Sequence, residues 1–134
     1  MLLTTPTAEQ FIASKAAQFR AELEAGKNLE MKDIERRGFH LWRREAWTFL
    51  VQHNLPTKIY VVERLVFAGS MGNLSEHRDG TEVEPTLYRF GYWVVGRIGR
   101  AAGRWTWAQF APMIPPIDLD ALLANARADG TINH

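Results

Sequence analysis

The stretch "NLEMKDIERRGFHLWRREAWTFLVQH", Asn28 to His53, decides which fold the chain is expected to take. Ile34, Leu41, Trp42 and Phe49 fall on one side at about 100° per residue, the step of an amphipathic helix. Asn28 can cap such a helix. "HNLPTK" ends it, because proline turns the residue before it away from helical angles. Gly38 lies in the apolar stripe, where it suits either close packing or a kink. Arg36, His40, Arg43 and Trp47 then share the opposite side. The segment therefore reads as a second helix behind an earlier one.

That earlier helix is expected from Thr7 to Ala25. Thr7 and Gln10 have the spacing of a capping box, and Pro6 lies just outside. Ile12, Ala16, Phe19 and Leu23 make one apolar stripe, and Gly26 suits the C-terminal stop. Glu9, Lys15, Gln18 and Glu22 read as the solvated side.

Past Pro56 the pattern changes. "KIYVVERLVFA", Lys58 to Ala68, is dense in β-branched and aromatic residues and predicts a strand. Glu63 interrupts an otherwise apolar face. Thr86 to Ile98 and Arg104 to Ile114 predict two more strands, joined by a turn over Gly99 to Gly103 where glycines can take positive φ. Asp118 is placed to cap a short helix to about Ala128, anchored by Leu119, Leu122 and Leu123 and stopped by Gly130. The expected fold is α+β: two N-terminal helices, a three-stranded or slightly larger antiparallel sheet, and a short C-terminal helix. The helices would cover one sheet face. Residues 1–134 form one domain in this reading, with a long polar loop over 69–85, a length that is uncommon for a connection unless it is functional.

Composition narrows the chemistry. The 134 residues are 46% hydrophobic and 23% charged, enough apolar material for one core. With no cysteine, disulfides, zinc–thiolate sites and thiol catalysis are excluded. "MLLTTPTAEQFIASK" lacks a basic segment followed by an apolar run, so no secretory signal is read and a cytoplasmic location is expected. The densest apolar windows, Ala46–Val51 and Tyr92–Val95, are too short to span a membrane. Net charge is +1, which gives nucleic-acid binding little general support.

Local clusters carry the functional expectations. "VVGRIGRAAGRWTW", Val94 to Trp107, sets Arg97, Arg100 and Arg104 around a glycine-rich turn, with Trp93, Trp105 and Trp107 on the same strands and Arg89 nearby. Guanidinium forks suit phosphate or carboxylate oxygens, and aromatic faces beside them suit bases. The alternative is a soluble sheet edge over buried indoles. Arg36, His40, Arg43 and Trp47 form a secondary basic stripe, with Glu35 and Glu45 available to pair the arginines. Glu63 is either a buried acid–base group or the partner of an arginine across the sheet, Arg89 or Arg97. His77, Asp79, Glu82 and Glu84 crowd the long loop without the spacing of a metal site, and no metal or cofactor is expected.

The leading functional expectation is a binding module that presents the arginine–tryptophan hairpin to an anionic partner, nucleic acid first. The second is a small enzyme or ligand-binding protein with a cavity between sheet and helices, Glu63 as acid or base and the 69–85 loop as lid. The third is a protein-binding or homodimeric role, since five tryptophans and seven phenylalanines strain what one core can hide.

Overall fold

The computed structural model describes residues 4–32, 38–72, 85–108 and 110–134. Helix α1 spans Ala8–Glu24 and starts as its sequence dictates. The Thr7 hydroxyl accepts from the Gln10 N–H at 3.2 Å, and the Gln10 side chain accepts from the Thr7 N–H at 2.9 Å. Gly26, at φ 71°, follows the C-terminal turn.

The segment expected as a second helix is instead two strands, β1 (Leu29–Lys32) and β2 (Gly38–Gln52). β3 (Leu55–Gly72) returns antiparallel along β2, and β4 (Thr86–Val95) and β5 (Trp105–Ala108) complete the sheet. The sheet therefore has five strands, where three or slightly more were expected, in the order β1-β2-β3-β4-β5 with every neighbour antiparallel. The helical expectation fails for a local reason. The β2–β3 register slips between Leu41 and Trp42, and again between Arg44 and Ala46. The first slip leaves Ala68 of β3 out of the ladder. The second leaves out Glu45 of β2 and breaks the two-residue alternation of that strand, so its apolar positions fall at mixed spacings that imitate a helical stripe.

β3 runs well past Ala68, so the polar connection begins later than expected. Most of the 69–85 loop, with His77, Asp79, Glu82 and Glu84, lies outside the described residues, as does Arg36. β5 stops at Ala108, short of the expected Ile114. Helix α2 spans Pro116–Ala128 and has Pro115, not Asp118, at its N-cap.

The helices cover opposite faces of the sheet, where one shared face was expected. On one face Phe19 of α1 packs on Val61 and Trp93, surrounded by Phe11, Trp47, Phe49, Trp105 and Trp107. On the other, Leu122 and Ala126 of α2, with Ile132, pack on Tyr60 and Val62. Strand parity makes this division: Val61 and Glu63 face α1 while Tyr60 and Val62 face α2.

Polar ties hold the C-terminal segment down. The Thr48 hydroxyl lies 2.6 Å from Asp129 Oδ2 and 2.8 Å from Thr131 Oγ1. Arg64 Nη1 donates to the carbonyls of Gly130 and Thr131 at 2.7 and 3.1 Å. Asp118, buried in the first turn of α2, accepts the His53 N–H and lies 2.9 Å from His53 Nδ1.

Candidate functional site

Glu63 sits in the middle of β3, directly opposite Arg89 of β4. It is 1% exposed, a position that a carboxylate holds only when its charge is matched and its oxygens are bonded. Arg89 Nε donates to Oε2 at 2.6 Å, and Arg44 Nε donates to Oε1 at 3.0 Å. Of the two partners expected from sequence, Arg89 takes the role and Arg97 does not. Arg44 reaches this face because of the bulge between Arg44 and Ala46. In a regularly paired strand Arg44 and Trp47, three residues apart, would point to opposite sides; with Glu45 bulged out they share one.

Arg44 also joins the sheet to α1. Its Nη1 donates to Glu22 Oε2 at 3.1 Å, and its guanidinium stacks 3.7 Å from the Phe19 ring centre. Burial pushes the Glu22 carboxyl up. The Gln18 hydrogen bond and the charges of Lys27 and Arg44 outweigh that effect and hold it below its ordinary value.

Between α1 and the sheet lies a cleft of about 290 Å³. Lys15, Gln18, Phe19 and Glu22 line its helix side. Their spacing of three, four and seven residues puts them on one face of α1. The side of α1 expected to be solvated thus supplies three walls of the cleft. Lys27 and Leu29, just past α1, also line it, and Arg44, Glu63, Arg89, Trp93 and Trp107 of the sheet form its floor.

The indoles are tightly placed. The Trp93 and Trp107 ring centres are 4.6 Å apart, and the Arg89 guanidinium lies 5.3 Å from Trp107. Trp107 reaches across Gly91, where a Cβ would run into its six-membered ring. Glycine at this position is a requirement of close approach. Lys15 Nζ stands 5.9 Å from the Trp93 ring. Four cationic side chains, Lys15, Lys27, Arg44 and Arg89, thus surround the cavity with two carboxylates, Glu22 and Glu63.

The hairpin expected to present arginines and indoles together separates them. Its tip is a single 3₁₀ turn, Gly99–Ala101, with Gly99 and Gly103 at positive φ. Arg97, Arg100 and Arg104 are exposed there, and among the described residues they make no ion pair. The tryptophans run underneath α1. Trp93 is buried, and Trp105 stacks on Phe11 at 5.1 Å while its Nε1 donates to the Pro6 carbonyl at 2.9 Å. Arg89, Trp93 and Trp107 come together in the cleft instead, beside Glu63.

The secondary basic stripe also divides. Arg43 lies opposite Val66 and Trp47 opposite Glu63, residues of opposite faces of β3. Arg43 bonds Glu45 through Nε at 2.8 Å. Trp47 packs edge-on to Phe19 with Arg20 over its ring, and His40 Nδ1 lies 3.1 Å from Ser70 Oγ. Lys15, Gln18, Glu22, Lys27 and Arg44 were not singled out from sequence as site residues. The only available signal was the shared helical face of Lys15, Gln18 and Glu22, which is equally the pattern of a solvated helix side.

Among the described residues no group of three His, Asp or Glu side chains is placed to hold a metal ion, and no helix is long and apolar enough to cross a membrane. No protein-family model, curated protein or solved structure matches the chain.

Proposed function

We propose that the chain is a binding module for a small anionic ligand with a flat apolar body, held in the cleft between α1 and the sheet. The observation that carries the reading is the excess of cations over carboxylates around a cavity floored by two indoles. Guanidinium and ammonium groups suit carboxylate or phosphate oxygens, and the indole faces suit a planar apolar body. A cavity of about 290 Å³ belongs at the small end of ligand sites. Glu63 serves as a counter-ion in this reading, not as an acid or base, because a guanidinium engages each of its oxygens. By fixing Arg44 and Arg89 in advance, it lowers the ordering cost of binding.

Intrinsic fluorescence tests the reading, since Trp93 and Trp107 form the floor. Titration with benzoate, indole acetate and phenyl phosphate should give saturable quenching, with benzyl alcohol as the neutral control. Lys15→Ala and Lys27→Ala should each weaken binding by about tenfold, the loss of one charge-assisted hydrogen bond. Absence of saturation with every anion, or equal binding of the alcohol, would overturn it.

A second reading keeps the arginine tip as a contact for nucleic-acid phosphates. It is favoured by three exposed arginines, Arg97, Arg100 and Arg104, with no carboxylate partner among the described residues. Oligonucleotide affinity that falls steeply with salt, and is lost in the triple alanine variant, is the expected result. No binding at low salt would remove it.

A further inference from the structure

We infer that the open half of β4 is a contact between two copies of this chain, which join edge to edge into one continuous sheet. The polarity of the ladder shows which backbone groups are involved. The Phe67 N–H donates to the Pro85 carbonyl at 2.9 Å, so the odd-numbered residues of β4 direct their hydrogen bonds to β3. The Gly96 N–H donates to the Arg104 carbonyl at 2.9 Å, so the even-numbered residues direct theirs to β5. β5 pairs only with Tyr92 to Val95. Thr86, Tyr88 and Phe90 therefore aim N–H and C=O groups outward, with no strand beside them among the described residues.

Exposed edges are ordinarily blunted by shortness, proline or charge. The other outer strands, β1 and β5, have four residues each, and β1 carries Glu30. On the open half of β4 the one charged side chain is Arg89, and its guanidinium is drawn inward to Glu63. Leu87 is 44% and Phe90 37% exposed, and Phe110, just past the end of β5, is 80% exposed. Among the described residues this edge is apolar, unpaired and unguarded except by Pro85 at its start.

A second copy matches it without a like-charge clash. An antiparallel two-fold centred on Tyr88 sets Tyr88 opposite its own counterpart, Thr86 opposite Phe90, and Leu87 opposite Arg89. The outward N–H and C=O groups of all three even residues then find partners. Exposed apolar side chains of both copies are covered together, as an isologous contact requires.

Sedimentation velocity over a concentration series tests this. The mass should rise from 15.3 kDa toward twice that value. Leu87→Lys and Phe90→Lys replace exposed side chains outside the cleft, and each should return the protein to monomer with an unchanged circular dichroism spectrum. Amide exchange at Thr86, Tyr88 and Phe90 should slow with concentration in the wild type and not in the lysine variants. A monomer at every concentration overturns the inference, whatever other strand the edge accepts. A dimer that survives both lysine variants overturns it as well, since the contact then lies elsewhere.

Discussion

Glu63 shows how one residue can couple three elements. Its carboxylate holds Arg44 of β2 and Arg89 of β4, and Arg44 passes the link to Glu22 of α1. Breaking a buried ion pair by removing one partner costs about 3–5 kcal/mol, because the remaining charges stay buried and unmatched. Glu63→Ala should lose that much in urea denaturation. Arg44→Ala and Arg89→Ala should be non-additive when combined, because they share one carboxylate. Gly91 acts by absence: its missing side chain is the space that Trp107 fills. Gly91→Ala should cost about 1–3 kcal/mol, the range for overpacking. It should also shift the tryptophan emission and weaken anion binding, because the displaced indole is part of the floor.

At the scale of elements, legibility followed regularity. The capping box of α1 was readable because Thr7 and Gln10 lie three residues apart and bond only each other's backbone. β3 was readable because Lys58 to Ala68 is a dense run of β-branched and aromatic residues, and its pairing with β4 runs without a slip from Lys58 to Val66. β2 was not, because the residue inserted between Arg44 and Ala46 moves Arg44 onto the face of Trp47 and erases the period. The cleft was half legible for the same reason. Glu63 and Arg89 follow from strand parity, whereas Arg44 follows only from the bulge, and Lys15 only from knowing which way α1 turns. Two substitutions separate capping from packing. Thr7→Ala should cost about 1 kcal/mol, the usual value of an N-cap. Leu122→Ala should cost about 2–5 kcal/mol, because it empties a fully buried site between α2 and Tyr60. Thermal unfolding of both variants measures the contrast.

For the molecule as a whole, two titrations bound the stable range. Glu22 sits below its ordinary 4.5, so the unfolded chain takes up its proton first, and stability should fall as pH drops through and below that value. Tyr60 sits above its ordinary 10.0, raised first by burial and then by the charges of Asp118 and Tyr92. The unfolded chain releases that proton first, so stability should also fall as pH climbs past 10.0. Urea midpoints across the pH range measure both limbs, and Glu22→Gln should flatten the acid one. The strand order carries a kinetic consequence. Each strand neighbours its predecessor, and β2 and β3 close across the two residues His53 and Asn54, so ordering can begin in that ribbon without a long loop closure. Mutations in that ribbon should slow refolding, while mutations in α2, which docks from the far end of the chain, should chiefly hasten unfolding.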